Sequence, residues 1–188
     1  MRDLIVTEFV SLDGVMEAPG GEAGYAHAGW VGTAFSDQLG QYKLDEQLAT
    51  DTLLLGRITY ESFYGAWPHR DGPMAEKVNT MEKVVVSTTL GTSEWTNTSV
   101  IDADVEARVA ELKARDGAPI LIAGSRTLAQ SLLAAGLVDE LHLQVFPFLL
   151  GSGRRLYPES VDMTRLDLVE SVPLPGGVLA QTFRFTDA

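Results

Sequence analysis

The chain has 188 residues, of which 45% are hydrophobic and 21% charged, the balance of one ordinary globular domain with a sizeable core. Its formal net charge of −12 argues against non-specific attraction to nucleic acid or to an anionic membrane, so any bound phosphate must be held by local donors. Cysteine is absent, which excludes disulfides, thiolate zinc sites and cysteine nucleophiles.

The N-terminal stretch "MRDLIVTEFVSLDG" has too little apolar core and no cleavage site for a signal peptide, and no apolar run approaches a membrane span, so a cytoplasmic protein is expected. Apolar periodicity predicts a first strand at residues 4–10. It leads through "SLDG" into residues 14–32, an irregular segment with six glycines. So long a loop in a compact domain reads as a lid or binding loop. A helix follows at 35–48 with Leu39, Tyr42 and Leu48 facing inward. A strand at 53–55 stops at Gly56-Arg57 and a short helix begins at 59–63; the next strand, 83–86, stops at Ser87-Thr88. An amphipathic helix at 105–115 runs through Val105, Val109 and Leu112. Strand 120–123 stops at Gly124-Ser125, and helix 127–135 closes at Gly136, where glycine suits a left-handed cap. After a strand at 141–146, the stretches 166–171 and 178–185 flank "VPLPGG" and can pair as an antiparallel hairpin.

This order predicts a single three-layer α/β domain over 1–188: a mostly parallel mixed sheet, helices on both faces and the hairpin at one edge. Ligands of such sheets sit at the carboxyl ends of strands, so Gly56-Arg57, Ser87-Thr88 and Gly124-Ser125 are expected to line one face. Gly124, Ser125 and Thr127 read either as a phosphate cradle on a helix N-terminus or as a capped tight turn. Gly56, Arg57 and Thr59 repeat the pattern with a guanidinium, whose bland alternative is pairing with a surface carboxylate. No G-x-G-x-x-G, G-x-x-x-x-G-K-[ST] or G-x-S-x-G signature is present. Asp13 is a candidate to protonate or orient a substrate, or else shapes the turn before Gly14. Trp30 offers a stacking face or core packing. The three histidines are too scattered for a metal site.

Six pieces, "SLDG", "LLLGRITYESF", "WP" at Trp67-Pro68, "EKVVVST", "LIAGSRTLAQSLLAAGLVDELHL" and "VFPFLLGSGRRLY", together resemble the dihydrofolate reductase-like superfamily over nearly the whole chain. The closer likeness is to the branch holding the reductase (C-terminal) domain of the bifunctional riboflavin-biosynthesis deaminase–reductase, RibD. The resemblance implies a dihydrofolate reductase-like fold and NADPH as cofactor. It implies that Gly56, Arg57 and Thr59 hold phosphates and that Ser87 and Thr88 lie near the adenosine side. Gly124, Ser125, Thr127 and Leu128 would cradle the pyrophosphate, and Gly151 and Gly153 would form a turn near the nicotinamide. No acid clearly matches the folate-binding acid of dihydrofolate reductases proper, and without cysteine the chain lacks the deaminase zinc ligands. The expectation is an NADPH-dependent reductase of a small heterocyclic substrate, proton-assisted by Asp13 or water, with Asp13, Gly14 and Trp30 on the substrate side. A homodimer is expected through the hairpin and "VFPFLL"; the rival reading is a dinucleotide-binding module that has lost catalysis.

Overall fold

Branched and aliphatic residues dominate the first strand, "LIVTEFVS", and β1 (Leu4–Ser11) is buried along nearly its whole length. The chain then forms α1 (Asp37–Leu48), β2 (Thr52–Gly56), α2 (Arg57–Ala66), α3 (Pro73–Thr80), β3 (Glu82–Val86), β4 (Thr98–Ile101), α4 (Val105–Ala114), β5 (Ile120–Ala123), α5 (Arg126–Ala134), β6 (Glu140–Phe146), β7 (Leu166–Leu174) and β8 (Val178–Phe185). This computed structural model describes residues 1–157 and 163–186. Its eight strands hydrogen-bond in the order β4-β3-β2-β5-β1-β6-β8-β7. The pairs β2–β3, β2–β5 and β3–β4 run parallel, and β6–β8 and β7–β8 run antiparallel. The predicted α/β class, with its antiparallel C-terminal strands, is the observed one.

The chain packs as two compact units, one of Met1–Val6 with Lys43–Asp139, the other of Thr7–Tyr42 with Glu140–Ala188. The first unit's core includes Ile5, Leu53, Leu55, Val85 and Leu121 from the strands, with Tyr60 and Val78 from α2 and α3. Lys83 is fully buried here and donates from Nζ to the carbonyls of Val78, Asn79 and Met81 at 3.1, 3.0 and 2.8 Å. The ammonium thereby satisfies carbonyls that the end of α3 leaves without intrahelical partners. It also lies 4.6 Å from the centroid of the Trp95 ring, and burial pulls its pKa down to about 8.

The second unit packs Trp30, Val31, Leu39, Phe146 and Val178 together. Of the α1 residues expected to face inward, Leu39 is fully buried, whereas Leu48 is 53% exposed. At that end of the helix the buried residue is Gln47, whose amide contacts the Met81 sulfur at 2.9 Å, so the inward stripe is shifted by one position. Phe146 ends β6 at Pro147, which cannot donate to a ladder.

Candidate active site

The geometry of the first unit's strand ends follows from three parallel neighbours. Gly56 of β2 is in register with Val86 of β3, so Ser87 and Thr88 follow beside the start of α2; β5, on the other side, delivers Gly124-Ser125. No loop separates β2 from α2: Gly56 is extended and Arg57 already helical. Ser125 sits in the left-handed region at φ 57° and starts α5. Its hydroxyl accepts from the Gly56 N–H at 2.9 Å, while its own N–H donates to Thr59 Oγ1, also at 2.9 Å. The two hydroxyls read from the sequence as ligand donors thus clasp the two helix starts to each other. Glycine at 124 suits the same close approach: its φ is +62°, and a Cβ there would stand 3.1 Å from the Thr59 methyl, a tight contact.

Both hydroxyl oxygens serve as acceptors in this clasp; the donors outside it are backbone amides, guanidinium groups and the exposed Thr88 hydroxyl. Neither α2 nor α5 has a side-chain cap, so the N–H groups of each first turn, with the partial positive charge of the helix end, remain for an external acceptor. At α5 these belong to Arg126, Thr127 and Leu128; the Leu128 side chain is buried in the core, so its contribution is backbone alone. Arg126 Nε is buried with no acceptor among the described residues. Arg57 Nη1 contacts both carboxylate oxygens of Glu61, at 2.7 and 3.0 Å, on the half-exposed face of α2. Ser87 Oγ is committed to closing its own turn, accepting from Thr89 N–H and Leu90 N–H at 3.1 and 3.0 Å, and Thr88 is exposed. Two uncapped helix starts after neighbouring strands, one of them opening with Arg126 and its orphaned buried guanidinium nitrogen, fit a diphosphate-bearing group.

The second unit brings Asp13, Gly14, Gly151 and Gly153 into one hydrogen-bonded assembly. Asp13 Oδ1 accepts from Ser11 Oγ at 2.6 Å and from the Leu150 N–H at 3.1 Å, and Oδ2 accepts from the Gly151 N–H at 2.8 Å. The Ser11 hydroxyl and these amides, working against partial burial, hold the Asp13 pKa down at about 2, so the group is a carboxylate at neutral pH. Arg155 Nε donates to the Asp13 carbonyl at 2.9 Å. Beyond it Val15 bridges Arg155, Met16 N–H donates to the Arg154 carbonyl, and Leu156 N–H donates to the Gly14 carbonyl, so residues 14–16 are zipped to 154–156. Gly153, at φ +121°, has no room for a Cβ, which would lie 2.8 Å from Val15 Cγ1 and 3.0 Å from Tyr25 Oη. Tyr25 Oη donates to the Ser152 carbonyl at 2.6 Å. Trp30 stands apart from this assembly. It is 5% exposed, donates from Nε1 to the Glu17 carbonyl at 2.9 Å and meets Phe146 edge-on, so its ring is committed to the core rather than offered to a ligand.

Sequence reasoning passed over Arg126, Glu61, Arg155 and Tyr25. Arg126 had a readable signal, an arginine on the first turn of a helix already singled out for phosphate. Glu61 had one too, standing four residues after Arg57 at helical spacing, whereas Arg155 and Tyr25 act through partners that only the fold brings near.

Among the described residues no group of three histidine or carboxylate side chains is arranged to hold a metal ion, and no helix is long and apolar enough to cross a membrane. The family model of the RibD C-terminal domain matches residues 2–180. Among curated proteins the chain is 28% identical over 184 residues to the uncharacterised protein YyaP of Bacillus subtilis (strain 168), covering 95% of this chain and 92% of that one. Among solved structures it superposes on a protein assigned to riboflavin biosynthesis from Shewanella sp. PV-4 with a TM-score of 0.77, at 21% identity and with both chains fully covered. It superposes on the dihydrofolate reductase of Enterococcus faecalis, in a complex with NADP(H), with a TM-score of 0.64 at 19% identity, covering 98% and 97% of the two chains. At such identities the structural likeness carries the fold.

Proposed function

Because the chain belongs to the RibD C-terminal domain family, we propose that it is an NADPH-dependent reductase that passes hydride to a C=N or C=O carbon of a small pterin- or pyrimidine-like substrate. The observation that carries this reading is the pairing, at adjacent strand ends, of two helix starts without side-chain caps and the partnerless buried Arg126 Nε. Those amides, Arg57, Arg126 and Thr88 would hold the cofactor's phosphates, and bound NADPH would supply the hydride. Asp13, a carboxylate held by its hydrogen bonds, acts as the anchor of the Leu150–Gly151 backbone, and the proton comes from water. A cytoplasmic homodimer meeting through the β7–β8 hairpin completes the reading.

The test is NADPH titration followed by NADPH oxidation over a panel of oxidised pterins and aminopyrimidines. Arg57→Ala should weaken NADPH about ten- to a hundredfold, the loss of one charge-assisted phosphate contact, with the fold intact. Unchanged affinity in that variant would remove Arg57 from the site. Tight NADPH binding without turnover on any of the panel would favour the binding-module reading instead.

A further inference from the structure

Arg57 reaches Glu61 through one nitrogen only, so the Nε–Nη2 edge of its guanidinium is not used in that contact. Glu61 lies one helical turn further along α2, and both of its oxygens are within 3.0 Å of Nη1. The pair is exposed, at 42% and 51% of its side-chain surface, so it is worth only about a twofold shift in any equilibrium and holds the guanidinium loosely. A phosphate that takes the open edge must therefore arrive beside a carboxylate already seated on the same guanidinium. Repulsion grows with the charge of the phosphate. A terminal phosphomonoester carries about −1.5 to −2 at neutral pH, whereas each phosphate of a diphosphate bridge carries about −1, so the monoester is opposed more.

We propose that Glu61 is a specificity-determining residue that restrains the preference for a 2′-phosphorylated dinucleotide over its unphosphorylated counterpart; the inference rests on the dinucleotide reading above. Arg57 attracts the phosphate, and Glu61 sets how far that attraction discriminates. Glutamine at this position keeps the shape and an acceptor for Nη1 while removing the charge, and the helix surface tolerates it.

Equilibrium titration of NADPH and NADH by fluorescence, on the parent and on Glu61→Gln, tests this without turnover. NADPH should bind about three- to tenfold tighter to Glu61→Gln, NADH should change by less than about twofold, and the difference should shrink as salt is raised to about 0.5 M. Circular dichroism establishes that the variant is folded. If the parent binds neither nucleotide, the dinucleotide reading itself fails. If the parent binds NADPH but Glu61→Gln leaves it unchanged, weakens it, or tightens both nucleotides equally, the role of Glu61 is overturned and the dinucleotide reading stands.

Discussion

Asp13 ties two distant segments of the second unit together through its side chain. Both of its oxygens accept backbone N–H groups from residues more than 130 positions away, which joins the end of β1 to the Leu150–Gly151 turn. Asparagine would turn one acceptor into a donor facing an N–H, so Asp13→Asn should destabilise by about 1–3 kcal/mol in denaturant titration at neutral pH. The pH dependence follows from the depressed pKa. A carboxylate lowered from 3.8 to about 2 contributes stability that is fully present above pH 4 and is lost as pH falls through 2. The parent should therefore lose more stability than Asp13→Asn between pH 4 and pH 2; parallel losses would mean that the carboxylate contributes nothing through its charge. A residue of this type before glycine was legible in the sequence as a turn or as an acid. Its partners were not, because no local pattern encodes a contact across so long a separation.

At the scale of elements, residues 14–32 divide in two. Residues 14–16 are fixed to 154–156 by backbone hydrogen bonds, whereas 18–29 form a loop whose ends close through the Gly29 N–H donating to the Ala18 carbonyl at 2.9 Å. Tyr25 tethers that loop by one hydrogen bond to Ser152. In the free protein, amides of 18–29 should exchange quickly and those of 14–16 slowly, and only the former should slow when NADPH and a substrate analogue are added. Protection across all of 14–32 equal to that of β5 would refute a moving loop. Elements with a clear apolar pattern and a turn signal beside them were readable: β5, "ILIA" before Gly124, and β8, which follows Gly176-Gly177, have the predicted bounds. The misses have physical reasons. β4 is a four-residue strand, "TSVI", paired on one side only, and α3 has just Ala75 and Val78 to bury. The prediction ended β7 at Ser171 before Pro173, but an edge strand needs no donor on its outer side and runs through to Leu174. The strand-end positions of the candidate site were legible as small residues after apolar runs. The mutual clasp of Thr59 and Ser125 was not, since each hydroxyl finds its partner only after β2 and β5 pair.

For the whole molecule, a net charge of −12 opposes both an anionic cofactor and a second copy of the chain. Self-association then has to come from apolar surface, and β7 and β8 expose Leu168, Val169 and Leu179 at 55%, 58% and 40%. The proposed homodimer should tighten with salt, as screening weakens the mutual repulsion, and Leu168→Asp should dissociate it while leaving the monomer folded. Sedimentation velocity at low and at about 0.5 M salt reads both effects, and a parent that stays monomeric at every salt would rule the dimer out. The interleaving of the two units has a consequence for synthesis. The unit of Met1–Val6 and Lys43–Asp139 is complete once residue 139 has emerged, but residues 7–42, made near the start, have no finished partner until β6 and β8 leave the ribosome. For an interval on the order of seconds the nascent chain carries Trp30, Val31 and Leu39 without Phe146 and Val178 to cover them, so apolar surface made early in synthesis is among the last to be sheltered and stays open to chaperones meanwhile.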